Sequence, residues 1–260
     1  MSSPTIWSLG RYEAVGERIA PIAAEVVDAV SRRGVLRDAV VADLACGTGN
    51  AALAAAAAGA NVTAVDVTPE LIAIGAQKAE KAGHSITWLT ADAADTGLAG
   101  GSFNAAVSNM GIVFVEPTRL VAETARLLRS GGVFGFSSWV RDPDNPFFSP
   151  IVAVLGPPPA SGYSPDQWGE ADTITERLSP DFDVMEIEHG SHSWQLGTID
   201  EAVHFVTHES PMHVSVFGSL DGAKRDRLAA AFEDVLRGHL DADGNVTYDA
   251  PYAVVTALRR

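Results

Sequence analysis

The run Val40-Val41-Ala42-Asp43-Leu44-Ala45-Cys46-Gly47-Thr48-Gly49-Asn50 constrains the fold more than any other stretch of this chain. A short apolar segment, Val40 to Leu44, breaks into two glycines one residue apart. An alanine-rich stretch, Asn50 to Ala58, follows and is closed by Gly59. The first piece is too short for a helix and rich in β-branched residues, whereas alanine is the best helix former. A strand that turns through glycine directly into a helix needs a crossover to regain the sheet, which means parallel strand pairing.

The same alternation continues for about a hundred residues. Val62 to Val67 is a second expected strand. Thr68 is a natural N-cap and Pro69 a natural first residue for a helix to about Ala82, with Gly83 past its end. Ile86 to Thr90 and Ala105 to Ser108 are further strands, and Pro117 opens a helix to Leu128. Ser130-Gly131-Gly132 is expected to turn into a fifth strand, Val133 to Ser138. Ahead of this core, Arg11 to Arg33 carries Ile19, Ile22, Ala23, Val26, Val27 and Val30 at helical spacing, interrupted or kinked near Pro21, and Gly34 stops it. Strands alternating with helices, without hairpin-length links, predict an α/β fold: a Rossmann-like, doubly wound, mostly parallel seven-stranded sheet.

Beyond Trp139 the regularity lapses. Residues 141–167 hold seven of the fourteen prolines and read as a long irregular connection, the usual form of a binding loop or lid. Phe182 to Glu188, Ser191 to Leu196 and Val246 to Leu258 are expected strands. Asp200 to Thr207 and Leu220 to Leu240 are expected helices. No boundary for a second domain shows. The expectation is one domain over 1–260: N-terminal helices or lid (1–35), a cofactor-binding core (36–139), and a C-terminal lid with helices and closing strands (140–260).

Composition excludes several classes of function. Hydrophobic residues make up 47% and charged residues 20%, ordinary for a globular chain with a core of its own. A net charge of −15 repels phosphate backbones, so no nucleic-acid partner is expected, and Arg32, Arg33 and Arg37 read as solvated charges at a helix end. No apolar stretch is long enough for a membrane span, and Met1 to Arg11 lacks the pattern of a signal peptide. The lone Cys46 cannot form an internal disulfide. A cytoplasmic setting is therefore expected.

Gly47-Thr48-Gly49-Asn50-Ala51-Ala52 fits the dinucleotide pattern G-x-G-x-x-A, with Asp66 nineteen residues after Gly47 for a ribose hydroxyl, so an NAD-type ligand stays open. Asp43 weighs against it. A carboxylate at the strand's carboxyl end would meet a pyrophosphate as a like charge. S-adenosylmethionine instead carries ammonium and sulfonium cations, which Asp43 can pair. Asp66, ending the second strand, can accept from vicinal ribose hydroxyls or cap the following helix. Asp92, ending the third, can accept from an adenine amino group, with the amide of Ala93 reaching the ring, or serve as a turn aspartate. Three acids at three consecutive strand ends lie where open α/β sheets bind ligands.

These segments, together with Val65-Asp66-Val67-Thr68-Pro69, Ala91-Asp92-Ala93, Phe103 to Gly111 and Leu128-Arg129-Ser130-Gly131-Gly132, resemble the successive motifs of class I S-adenosylmethionine-dependent methyltransferases over about residues 36 to 139. Trp7-x-x-Gly10-x-Tyr12, Pro157-Pro158-Pro159 and Ser164-Pro165-x-x-Trp168-Gly169 are similar to segments of a bacterial small-molecule subgroup. The resemblance implies that Gly47 and Gly49 contact the methionine part, with Ala45, Thr48 and Asn50 beside them and Asp43 positioning it. It implies that Asp66, next to Val67, holds the ribose, that Asp92 and Ala93 hold the adenine, and that Asn109 lies beside the sulfonium. Trp7 and Tyr12 would close over the cofactor. Asn104 and Ser130 depart from the family pattern, which has aspartate and proline there.

The expected activity is methyl transfer to a small molecule, oxygen preferred over nitrogen or carbon. An NAD-dependent oxidoreductase and a cofactor-binding protein without catalysis are the alternatives. Ser108-Asn109-Met110-Gly111 lacks the Asn/Asp-Pro-Pro-aromatic loop of enzymes that methylate amino groups of bases or glutamine. Cys46 is not preceded by proline and reads as a small residue in a tight loop. No metal site is expected, although His204 and His208 are four apart on an expected helix. His192, His208 and His213 are candidates for a general base without a ranking. Trp139, Phe147, Phe148, Tyr163 and Trp168 are candidates for an acceptor pocket or for lid packing. Catalytic residues and oligomeric state receive no assignment.

Overall fold

The computed structural model describes residues 5–157 and 162–260. The chain falls into two compact units whose segments interleave: Ile19–Arg141, Gly162–Gly190 and Tyr252–Arg260 form one, and the remaining described residues form the other. The chain crosses between units several times. No single stretch of linker composition marks a boundary, which is why the sequence shows none.

The larger unit is built on the sheet. Its strands are β1 (Val40–Leu44), β2 (Asn61–Asp66), β3 (Ile86–Thr90), β4 (Phe103–Asn109) and β5 (Leu128–Trp139), joined by the parts of β6 (Phe182–Gln195) and β7 (Thr247–Arg259) that lie in this unit. The order is β3-β2-β1-β4-β5-β7-β6, so the sheet is seven-stranded as expected. β1 to β5 pair in parallel and β7 lies antiparallel to β5. The strand order reverses between β1 and β4. The chain leaving these two strands departs in opposite directions, opening a crevice at their carboxyl ends.

The helices of this unit are α1 (Glu13–Arg33, entering it at Ile19), α2 (Asn50–Ala57), α3 (Pro69–Ala82), α4 (Pro117–Leu127) and, in the later segment, α6 (Ala171–Leu178). α1 runs unbroken through Pro21, against the expected interruption. Its buried stripe of Ile19, Ile22, Ala23, Val26, Val27 and Val30 holds the axis, while Pro21 and Glu17 are exposed. The Glu17 carbonyl, which proline leaves without its helical donor, is thus on the solvent side.

The expected turn at Ser130-Gly131-Gly132 lies inside β5. Register jumps from Phe103↔Leu128 to Ala105↔Val133, so these residues bulge out of the strand, with Gly131 at φ 75°. Asn104, at the shift, accepts the Val40 N–H at 2.8 Å and so ties down the start of β1. The two strands expected over 182–196 are one continuous β6, because the intervening His189-Gly190 remains extended.

Under one face of the sheet, Glu123 of α4 is buried and accepts from Thr96 N–H (2.9 Å), from Arg126 Nε (2.6 Å) and from Arg126 Nη2 (2.7 Å). The Arg126 guanidinium is the main reason its carboxyl is pulled down to about 2. A depressed carboxylate stabilises the fold fully above its ordinary value of 4.5 and loses that contribution as pH falls toward 2. Glu123→Gln is expected to cost on the order of 3 kcal/mol at pH 7. The gap between variant and parent should close in urea titrations near pH 2.5.

The second unit is mainly helical: α5 (Ser149–Leu155), α7 (Ile199–His204), a π-helical turn (Phe205–Glu209), α8 (Pro211–Gly218) and α9 (Gly222–Arg237). α5, like the 3-10 turn Pro165–Gly169 in the other unit, lies in what the proline content suggested was an irregular connection. Pro150 and Pro165 sit in first-turn positions where proline's missing N–H costs nothing. Pro158 and Pro159 lie outside the described residues. The core of this unit is aromatic, with Phe147 packed edge-on against Trp194, Phe205, His213 and Tyr248. No helix among the described residues is long and apolar enough to cross a membrane.

Candidate functional site

The loop after β1 turns sharply because three of its residues adopt left-handed backbone: Ala45 (φ 52°), Gly47 (φ 56°) and Gly49 (φ 82°). Glycine takes this conformation without penalty, whereas alanine takes it at a cost of about 1–2 kcal/mol. Two carboxylates organise the turn. Asp66 Oδ2 accepts the Gly47 N–H at 2.8 Å and its Oδ1 accepts the Thr68 N–H at 2.9 Å, so one side chain binds both the glycine loop and the start of α3. Asp43 Oδ2 accepts the Ala52 N–H in the first turn of α2 at 2.8 Å.

Asp43 is 1% exposed, and its Oδ1 is buried with no hydrogen-bond partner. Loss of hydration, reinforced by the neighbouring Asp66, pushes its carboxyl up to about 8, against the pull of the Ala52 amide. Burial also raises Asp66, and raises the Cys46 thiol, with Asp43 and Asp66 adding to the latter. Two buried acids and one unsatisfied acceptor atom fit a ligand that brings positive charge and N–H donors. They do not fit a diphosphate. The Gly47 amide, which a phosphate would need, is already committed to Asp66.

Gly49 has a second job that the motif does not reveal. A Cβ there would lie 2.4 Å from the Trp88 ring, and one on Gly75 of α3 would lie 2.5 Å from the same ring. Trp88 of β3 is therefore wedged between the loop and α3. Lys78 of α3 reaches the loop as well, 3.4 Å from both Thr48 Oγ1 and Asn50 Oδ1. Across the crevice, Gly111 follows β4 so closely that a Cβ would sit 2.1 Å from the Ala45 carbonyl oxygen. Sequence reasoning passed over Trp88, Gly75, Lys78 and Gly111. Gly75 did carry a signal, since a glycine inside a helical pattern costs about 1 kcal/mol and calls for a packing reason.

The other expected site residues are placed as follows. Asn109 ends β4 and is bonded at both amide atoms: its Oδ1 accepts the Ser137 hydroxyl (2.8 Å) and its Nδ2 donates to the Ile19 carbonyl of α1 (3.2 Å). Ser137 in turn accepts the Met110 N–H, and Ser108 donates to the Leu44 carbonyl, so hydroxyls pin both strand ends at the crevice. Asp92 lies past β3, accepts the Ala94 N–H at 2.9 Å and faces Arg119 at 3.4 Å, while Ala93 beside it is buried. Val67 is half-exposed just beyond Asp66. Asp43, Ala45, Gly47, Thr48, Gly49, Asn50, Asp66, Val67, Asp92, Ala93 and Asn109 all belong to the sheet unit. Trp7 and Tyr12 belong to the helical unit, where their rings pack edge to face 6.5 Å apart.

Among the candidate bases and acceptor aromatics, His192, His208, His213, Phe147 and Phe148 belong to the helical unit and Trp139, Tyr163 and Trp168 to the sheet unit. His213 is fully buried, with Nδ1 on the Ser210 hydroxyl (2.7 Å) and Nε2 on the Phe147 carbonyl (2.8 Å), and burial lowers its pKa. Trp168 is wholly buried against Phe136 in the sheet unit, and Phe147 lies in the core of the other. These two serve packing.

Residues 41–132 match the family described as Methyltransferase domain. An uncharacterized protein of Mycobacterium tuberculosis is 34% identical over 176 residues, 65% of this chain, and the chain spans 62% of that relative's length. The YcgJ protein of Bacillus subtilis superposes with a TM-score of 0.62 at 14% identity, covering 91% of this chain and 98% of its own. A phosphoethanolamine N-methyltransferase of Haemonchus contortus, bound to phosphomonomethylethanolamine and S-adenosylhomocysteine, superposes with a TM-score of 0.55 at 17% identity, over 90% of this chain and 52% of its own.

Proposed function

We propose, from the match of residues 41–132 to a methyltransferase domain, that this chain is a class I S-adenosylmethionine-dependent methyltransferase acting on a small molecule, on oxygen in preference to nitrogen or carbon. The observation that carries this reading is the buried Asp43 carboxyl with one unpaired oxygen beside a loop whose Gly47 amide is spent on Asp66. That arrangement favours a cationic amino-acid moiety over a diphosphate and sets NAD chemistry behind methyl transfer.

The cofactor supplies an activated methyl group on a sulfonium. The chain's own contribution is to bind and orient. Asp43 takes the ammonium, Asp66 accepts from the ribose hydroxyls while it holds the Gly47 and Thr68 amides, and Ala93 with Asp92 borders the adenine. Asn109, held rigid by Ser137 and Ile19, borders the reacting centre. Holding donor and acceptor at attack distance supplies about 7–11 kcal/mol of rate enhancement. Oxygen on a phenol, quinol or polyketide-like enol is the preferred acceptor, whose loss of a proton a general base would assist. The net charge of −15 argues for a small molecule over nucleic acid.

Calorimetric titration with S-adenosylhomocysteine and with NADH tests the cofactor, and the first alone should bind. Turnover on a panel of phenols, quinols and amines tests the acceptor; binding without turnover on any of them would favour a non-catalytic role. Asp66→Ala is expected to weaken S-adenosylhomocysteine binding about tenfold or more, since one side chain supports both the loop and the ribose. Unchanged affinity would remove Asp66 from the site.

A further inference from the structure

Two imidazoles of the helical unit stand side by side. His204 ends α7 and His208 lies in the π-helical turn Phe205–Glu209 that follows without a break. Both side chains are exposed, and their rings are parallel within 12° with centroids 4.8 Å apart. Residues four apart on a helix are neighbours on one face, so the side chains of His204 and His208 share it.

The hydrogen bonds also favour one tautomer of His208. The Thr207 hydroxyl donates to the Val203 carbonyl at 2.7 Å, so its single proton is spent. Its oxygen lies 2.7 Å from His208 Nδ1, and it therefore accepts the Nδ1–H. His208 Nε2 is left as a lone pair, with the ring oriented from behind as metal-binding histidines are. The His204 ring is exposed and stacked on that of His208.

We propose that His204 and His208 form a two-imidazole chelating site for a divalent late transition-metal ion, with water completing the coordination. Imidazole pairs suit nickel, copper and zinc, and with no carboxylate ligand they do not suit magnesium or calcium. Among the described residues no three histidine, cysteine, aspartate or glutamate side chains gather as a metal cluster, so the site is a bidentate surface clip and not a closed cage. Its place gives it a consequence. The next residue, Glu209, anchors the N-terminal segment, taking the Arg11 N–H on its carbonyl at 2.8 Å and the Arg11 guanidinium on its carboxylate at 2.7 and 2.9 Å. A metal clipped across the π-turn braces the backbone to which that segment is tied.

The test is Ni²⁺ titration of untagged protein by calorimetry, with melting followed in parallel. One equivalent should bind saturably, and the melting midpoint should rise by about 2–4 °C in excess metal. His204→Ala and His208→Ala should each abolish both effects, and Thr207→Val should weaken binding about tenfold by freeing the His208 tautomer. S-adenosylhomocysteine affinity should be unchanged in all three, which separates failure here from failure of the methyltransferase reading. Equal Ni²⁺ binding by either alanine variant, or an equal response to Mg²⁺, would overturn the proposal.

Discussion

Replacing Asp43 by asparagine is expected to weaken S-adenosylhomocysteine binding about a hundredfold or more, because under the proposed function it removes the charged partner of the cofactor's ammonium. Asparagine keeps the volume and can still accept the Ala52 N–H, so the fold is retained. The same carboxyl predicts a proton signature. Burial lifts it to about 8, so at pH 7 it is largely protonated before the ligand arrives. Pairing with an ammonium favours the ionised form, and close to one proton should leave on binding. The apparent binding enthalpy should then differ between phosphate and Tris buffers, and the difference should vanish in Asp43→Asn.

Stability without ligand follows the opposite sign from Glu123. A carboxyl whose folded-state value is raised contributes fully below its ordinary 3.8, and the contribution is lost as pH rises to about 8. Over that window the asparagine variant should gain on the parent. Undiminished affinity in Asp43→Asn, with the buffer dependence intact, would sink the ammonium role.

Gly111→Ala is expected to be the most damaging single methyl addition in the chain. Its backbone is unstrained for any residue, so the penalty is purely one of space. The new Cβ would stand 2.1 Å from the Ala45 carbonyl oxygen and 2.9 Å from the Ala45 Cβ. Both neighbours belong to a loop already held in left-handed conformation, and a carbonyl cannot swing aside as a flexible side chain can. Overpacking against fixed atoms costs about 3 kcal/mol or more. In a chain of this size that is a fall in melting midpoint of roughly 6–12 °C. Cofactor affinity should fall with it, since the Ala45 loop must move. Gly218→Ala, whose Cβ meets nothing within 4 Å, is the control and should stay within about 0.5 kcal/mol of the parent. Parent-like melting of Gly111→Ala would show that the two loops do not approach as described.

Much of the sheet was legible before any coordinates. β1 and β3 fall on the expected residues, and α3 begins at Pro69 and ends before Gly83 as its caps require. Local chemistry sufficed there, because short apolar runs, N-cap residues and glycine stops act over a few residues. The proline-rich connection misled because proline both breaks helices and begins them, and which it does at Pro150 or Pro165 depends on neighbours distant in sequence. The candidate site was legible in its residue types. Its bonding was not. Asp66 as a double backbone acceptor, Trp88 between Gly49 and Gly75, and Gly111 against Ala45 all join residues from different strands and helices.

The amino-acid order by itself determined the alternation of strand and helix, the glycine turn after β1 and the three acids at successive strand ends, since each depends only on near neighbours along the chain. Tertiary structure alone decided which carboxylate is spent on the backbone and which keeps an oxygen unpaired. It also decided which glycine makes room for a ring and which two histidines stack. The physical reason is that desolvation, close contact and hydrogen-bond satisfaction are set by what surrounds an atom in space, and most of those surroundings come from elsewhere in the chain.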